Sequence, residues 1–194
     1  MPIKDQVKFI NSVLRSPASI GAVAPSSKTL ARHMVKDFNI ETGQHVLEFG
    51  PGTGPFTRAL INEIPNKDAY LGIERDPRFV QHLAVHLPDM RVIEGSAEDV
   101  CEIIQQENIK NVKAIISGLP FASLSATVQD NVINALDRLV TPGCIFRTFQ
   151  YVHAYPFPSA VRFRNRMNEL FGPMKRSKPV VRNIPPAYVL SWSR

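Results

Sequence analysis

Cysteine is almost missing from this chain. Cys101 and Cys144 stand far apart among 194 residues, outside any metal-ligand spacing, which argues against a disulfide framework and for reduced thiols in a cytosolic setting. Long apolar runs are missing too. No stretch reaches the ~18 uninterrupted apolar residues of a spanning helix. The opening MPIKDQVKFINSVLRSP has neither the apolar block nor the small-residue cleavage site of a secretory signal. No internal repeat or low-complexity tract interrupts the chain. Acidic residues are scarce at both ends: residues 1–40 hold two against six Lys or Arg, and residues 145–194 hold one against nine. Residues 41–144 hold fourteen acids against eight bases. Basic ends around an acidic middle favour a polyanionic partner, either nucleic acid or an anionic membrane surface.

What is present is an ordinary globular composition, 44% hydrophobic and 21% charged, long enough to bury one substantial core. Ile3, Val7, Ile10 and Leu14 recur at helical spacing with Lys4, Lys8 and Arg15 among the polar positions, which predicts a short basic amphipathic helix. A small-residue loop, RSPASIGAVAPSS (15–27), then leads to a helix capped by serine. From there strands and helices alternate. Strands are expected at 45–50, 68–74, 91–95, 112–119 and 144–152, and helices at 55–64, 76–87, 97–107, 125–140 and 159–172. PVVRNI and AYVLSWS read as two closing strands whose short connection implies antiparallel pairing. The pattern predicts an α/β fold, doubly wound on a mainly parallel sheet. Residues 1–40 would form an N-terminal helix and entrance loop, and 41–194 the main domain.

Between the first strand and helix stands VLEFGPGTGPF (46–56), three glycines spaced two apart. A phosphate-gripping P-loop needs Lys and Ser/Thr after its last glycine, and Gly54 is followed by Pro55-Phe56. A dinucleotide fingerprint needs Gly or Ala where Pro55 stands. What remains is Glu48-x-Gly50-x-Gly52-x-Gly54, in which the sequence resembles the Rossmann-like, class I methyltransferases that use S-adenosyl-L-methionine. The chemistry suits that ligand: bare glycine backbone lets the zwitterionic tail approach, and an acid near the strand end suits its ammonium. Glu48, Gly50, Pro51, Gly52, Thr53 and Gly54 are therefore expected to bind the cofactor. At the end of the second strand Glu74, followed by Arg75, can accept both ribose hydroxyls. After the third strand the adenine amino group falls to Ser96, Ala97 or Glu98, since Ser96 stands where such enzymes often place Asp. Ser117 closes the set at the fourth strand.

Ser117-Gly118-Leu119-Pro120-Phe121 decides the acceptor. Methyltransferases of nucleic-acid adenines carry Asn or Asp, then x-Pro-Tyr/Phe, at this point; here Gly118 replaces the amide, which argues against adenine and for another amine. The stretches at 9–34, 46–60, 117–121 and 180–192, with GAVAPSS and RNIPPA the most specific, resemble the small bacterial phospholipid N-methyltransferases over nearly the whole chain. That resemblance implies a seven-stranded fold with a C-terminal antiparallel hairpin and methylation of phosphatidylethanolamine towards phosphatidylcholine. It also implies a cytoplasmic enzyme peripherally associated with the inner face of the membrane, its basic N- and C-terminal segments meeting anionic lipid. Leu119, Pro120, Phe121 and Tyr151 are then the expected catalytic residues, with no general base assigned. Ser19, Gly21, Ala22, Ser26, Ser27, Tyr155 and Arg182 are expected at the substrate. Arg162, Arg164, Arg166, Lys175, Arg176 and Lys178 are candidates for lipid headgroups. Neither a metal nor a nucleic acid is expected as a partner. The rivals are an RNA adenine N6-dimethyltransferase-like enzyme, which would usually carry a further helical domain, and a methyltransferase of another aminolipid such as ornithine lipid.

Overall fold

The computed structural model describes residues 26–194. The first helix among the described residues, α1 (Lys28–Val35), starts where the Ser27 hydroxyl accepts a hydrogen bond from the Leu30 N–H at 3.1 Å, satisfying one of the donors a helix start leaves orphaned. Strands and helices then alternate: β1 (His45–Phe49), α2 (Pro55–Leu60), β2 (Tyr70–Glu74), α3 (Pro77–His86), β3 (Val92–Glu94), α4 (Val100–Gln106), β4 (Val112–Ser117), α5 (Ala126–Leu139), β5 (Ile145–Tyr151), α6 (Pro158–Phe171), β6 (Lys175–Arg176) and β7 (Ala187–Ser193). Asp76 caps α3 and Ser125 caps α5 through their side chains. Helix α2 stops at Leu60 rather than 64, because Pro65 disfavours helical dihedrals at Ile64 and the last residues relax into turns.

The seven strands form one sheet in the order β3-β2-β1-β4-β5-β7-β6. Strands β1 to β5 are parallel, and β7 runs antiparallel between β5 and β6. This is the expected class I methyltransferase fold. One element differs from the sequence reading. PVVRNI is not a strand: only Val180 bridges Ala187, and the partner of β7 is the two-residue β6 upstream. Pro179, Pro185 and Pro186 lack the N–H a ladder needs, so the segment turns instead, with a cis Ile184–Pro185 bond.

Alternation along the central strands feeds two apolar layers. Leu47, Phe49, Leu71, Ile73 and Ile115 pack with Val132 and Leu136 of α5 and Phe163 of α6 on one face. Val46, Tyr70, Ala114 and Ile116 pack with Leu30 and Met34 of α1 and Phe56 and Leu60 of α2 on the other. The chain winds outward from β1 to β3, then returns to place β4 on the other side of β1. At such a reversal the flanking loops part, opening a crevice beyond the carboxyl ends of the strands.

Candidate active site

Main-chain hydrogen bonds carry the strand ladders past their ends and align the tips. The Gly50 N–H donates to the Ile73 carbonyl at 2.9 Å, the Gly95 N–H to the Glu74 carbonyl at 2.9 Å, and the Gly118 N–H to the Phe49 carbonyl at 2.8 Å. Gly50, Glu74, Gly95 and Gly118 therefore stand side by side at the switch point. A cleft of about 250 Å³ opens there. Of the residues expected at the cofactor it is lined by Gly50, Glu74, Arg75, Ser96, Ala97 and Glu98, and of those expected in catalysis by Leu119 and Pro120. Leu124, Val128 and Val132 form an apolar wall that the sequence reading did not assign.

The glycine loop is held open by Glu74. Its carboxylate accepts the Gly52 N–H through Oε2 and the Asp76 N–H through Oε1, both at 2.9 Å. Gly52 has φ +57°, and a Cβ added there would meet nothing within 4 Å. That bare backbone borders open space. Pro51 and Gly54 close the loop beneath it, the Gly54 N–H donating to the Pro51 carbonyl at 2.8 Å, while the Thr53 carbonyl accepts from Arg58. Across the cleft Glu98 is fixed by Asn131, which donates to its Oε2 at 2.6 Å, and by Ser96, which donates to Oε1 at 3.3 Å. Ser117 is fully buried and accepts from the Leu119 N–H at 3.2 Å, so it shapes the fourth tip from behind.

Glu48 sits differently from the expectation. It is fully buried, and its Oε2 accepts from the Thr57 hydroxyl and the Tyr70 hydroxyl, each at 2.7 Å. Burial pushes its pKa up to about 7, against the lowering effect of those two hydrogen bonds. The native state therefore holds this proton at pH values where the unfolded chain has released it. Stability falls as pH rises from about 4.5 to about 7 and levels off above. Melting curves of wild type and Glu48→Gln across that window are expected to diverge, the wild type losing several degrees that the variant keeps; parallel curves would remove Glu48 as the cause.

A second cavity of about 60 Å³ lies beyond the Gly118–Phe121 segment, and Pro120 lines both spaces. Tyr151 reaches it, with His153 stacked on its ring at 5.6 Å between centroids, and Phe157 completes an aromatic rim. The Phe121 ring touches this cavity but is 1% exposed and stacked on Phe163 at 3.9 Å, so its face is spent in the core. Tyr155 does not line it. Its ring lies between Arg164, 3.7 Å from the centroid, Arg176 and Tyr188. Gln129, unassigned from sequence and fully buried, donates to the carbonyls of Phe121 at 2.7 Å and of Leu124 and Ser159 at 3.3 Å, clamping the segment after Pro120 to α5 and α6.

The two stretches that carried the resemblance meet. The Ser27 N–H donates to Asn183 Oδ1 at 2.9 Å, and Asn183, 2% exposed, donates to the Pro185 carbonyl at 2.7 Å. Ser27 thus caps α1 and anchors the RNIPPA turn, with Ser26 beside it and Arg182 exposed. Ser19, Gly21 and Ala22 lie outside the described residues.

Comparison with known proteins fixes the family. The ribosomal RNA adenine dimethylase profile matches residues 26–131, more than half of the chain. This chain belongs to the ribosomal RNA adenine dimethylase family. The chain is 28% identical to the ornithine lipid N-methyltransferase of Singulisphaera acidiphila, over 95% of this chain and 94% of that one. It is 27% identical to ribosomal RNA small subunit methyltransferase A of Chlorobaculum parvum, over 46% of this chain and 32% of that one. The fold recurs in the TehB-like methyltransferase of Corynebacterium glutamicum, with TM-score 0.63, 13% identity and full coverage of both chains. It recurs in Aeropyrum pernix fibrillarin with natively bound S-adenosyl-L-methionine, with TM-score 0.61 and 14% identity over 85% of this chain and 72% of that one. This member of the dimethylase family is an S-adenosyl-L-methionine-dependent methyltransferase. The cleft fits that cofactor: the Glu74 carboxylate and the apolar side chains of Val128 and Val132 line it, and Glu74 accepts from the N–H of Gly52, whose backbone borders open space.

Proposed function

We propose that the protein methylates the primary amine of a membrane aminolipid, of the phosphatidylethanolamine or ornithine-lipid kind. The contact at Gly118 carries this reading. A Cβ at that position would lie 2.6 Å from the Gly50 carbonyl oxygen, so the strand tips approach too closely for the amide or acid that holds adenine in nucleic-acid enzymes. Similarity to a full-length aminolipid enzyme supports it, since the similarity to the ribosomal RNA enzyme above covers under half of the chain.

Glu74, Gly52 and the Ser96–Glu98 turn would hold the cofactor, which supplies an electrophilic methyl group on its sulfonium. Pro120, shared by both cavities, would set the spacing between that cleft and the amine. The carbonyls of Leu119 and Pro120 already accept from the Phe121 and Ser123 N–H groups, so the dividing segment is preformed. Tyr151, His153 and Phe157 give the second cavity an aromatic rim, which favours a growing methylammonium. Burial in that space disfavours the ammonium form of the substrate and so assists loss of its proton. Burial likewise pushes the Tyr151 hydroxyl up, keeping it neutral.

The membrane would be met beside this rim. Val181 and Ile184 are 70% and 81% exposed on the turn before β7, with Val152 and Phe157 also exposed. The Val152 N–H donates to the Pro186 carbonyl at 2.9 Å, joining the turn to the cavity mouth. Lys175, Arg176, Lys178 and Arg182 are exposed nearby in sequence. The α6 arginines serve the fold instead: Arg162 and Arg166 pair with Asp130 at 2.6 and 3.6 Å, and Arg164 is bound to Gln150. Among the described residues no helix is long and apolar enough to cross a membrane. Replacing Val181 and Ile184 by Asp is expected to weaken co-sedimentation with anionic vesicles about tenfold or more while leaving the melting temperature unchanged; undiminished binding would place the docking surface elsewhere.

Labelled methyl donor offered with phosphatidylethanolamine vesicles, ornithine-lipid vesicles or small-subunit RNA tests the whole reading. Label is expected in lipid. Label in RNA and in neither lipid would overturn it.

A further inference from the structure

Four buried side-chain polar atoms lack a hydrogen-bond partner among the described residues. Two of them, Asp130 Oδ1 and Arg166 Nε, face each other as an ion pair at 3.6 Å. A third belongs to the buried Glu48 carboxyl. The fourth is Gln150 Nε2, and Gln150, 3% exposed, lines the second cavity. Native interiors rarely leave an amide N–H2 without a partner, and the exceptions tend to have a use.

The orientation of this amide is settled by its neighbour. Arg164 Nη1 donates to Gln150 Oε1 at 2.7 Å, and Arg164 is itself held by the Tyr155 carbonyl at 2.9 Å and by the Tyr155 ring. Turning the amide over would set its N–H2 against the guanidinium, donor facing donor. Oε1 therefore stays on Arg164, which leaves Nε2 buried and without a partner in a residue that lines the second cavity. The guanidinium also polarises the amide and strengthens its N–H as a donor.

We propose that Gln150 is a substrate-binding residue whose Nε2 donates to an oxygen of the headgroup that carries the acceptor amine. The inference rests on the aminolipid reading and names the second handle by which that site holds its substrate. An N–H donor cannot serve the amine itself, whose lone pair must stay free to form the new bond. Its partner is an oxygen a few bonds away: a phosphodiester oxygen in phosphatidylethanolamine, a carboxylate or amide oxygen in an ornithine lipid. A neutral donor suits the position, because a lysine there would repel the substrate's own ammonium.

Two variants and one wild-type measurement test this. Gln150→Glu keeps an acceptor for Arg164, removes the donor and repels an anionic oxygen; Gln150→Met removes both groups at similar volume. Each is expected to raise the KM for the aminolipid about tenfold or more, with cofactor affinity unchanged and kcat changed far less. Comparing the two lipids identifies the oxygen, since the lipid whose KM moves more supplies it. In the wild type the Gln150 side-chain amide resonance should shift on adding aminolipid micelles and not on adding phosphate-free detergent, which decides the matter if the variants do not fold. Unchanged KM in folded variants, or an unmoved resonance, means a buried water answers Nε2 and overturns the proposal. Should label go to RNA instead of lipid, the aminolipid reading has failed; the KM for RNA in the same variants then decides Gln150 alone.

Discussion

Replacing Gly118 by Asn is expected to abolish lipid methylation without creating an RNA enzyme. The substitution restores the residue that adenine methyltransferases carry, so sequence comparison alone would favour a switch of substrate. The packing says otherwise. The new Cβ would stand 2.6 Å from the Gly50 oxygen and 3.5 Å from the Phe49 oxygen, both backbone atoms that cannot rotate aside. Overpacking of this kind costs about 1–3 kcal/mol, or roughly 3–10 °C of melting temperature in a chain of this size. It would also push β4 away from β1 where cofactor cleft and second cavity adjoin, and a displacement near 1 Å there lowers turnover about a hundredfold. A variant with wild-type melting temperature that methylates adenine would show that the strand tips have room, and would remove the main argument for a lipid amine.

Glu74→Ala has the larger expected effect on the cofactor. A carboxylate offers about four lone-pair sites, and Glu74 uses only two, on the Gly52 and Asp76 N–H groups. It can keep the loop in place and still accept ribose hydroxyls. Removing it loses those charge-assisted bonds and frees the loop that shapes the cleft, so affinity for S-adenosyl-L-methionine should fall about a hundredfold or more by calorimetry. Glu74→Gln, with one acceptor oxygen left, should lose about tenfold. Wild-type affinity in the alanine variant would take the tip of β2 out of the cofactor site.

Much of this was readable from the residues because it is local. Period-two and period-3.6 apolar patterns placed β1 to β5 and their helices, and Asp76 and Ser125 marked helix starts by a side-chain oxygen that bonds two or three residues on. The glycine spacing gave the loop. Other features rest on contacts that no local pattern encodes. Lys175 and Arg176 read only as candidates for lipid headgroups until β7 pairs with them, whereas the apolar PVVRNI is denied a ladder by its prolines. Phe121 is expected in catalysis and Tyr155 at the substrate, yet Phe163 takes the face of one and two arginines take the other. Gln129 and Gln150 are single polar residues whose work is done with partners on other elements, so nothing in their neighbourhoods marks them. Glu48 had the right position for a cofactor acid, and only its depth and its bonds to Thr57 and Tyr70 reveal a carboxyl held inside the fold.

The most direct measurement is a single reaction holding the protein, S-adenosyl-L-methionine, vesicles containing both aminolipids and a small-subunit RNA, with products resolved by mass spectrometry. The account predicts aminolipid carrying added methyl groups and RNA of unchanged mass. Dimethyladenosine in the RNA with both lipids untouched would contradict it.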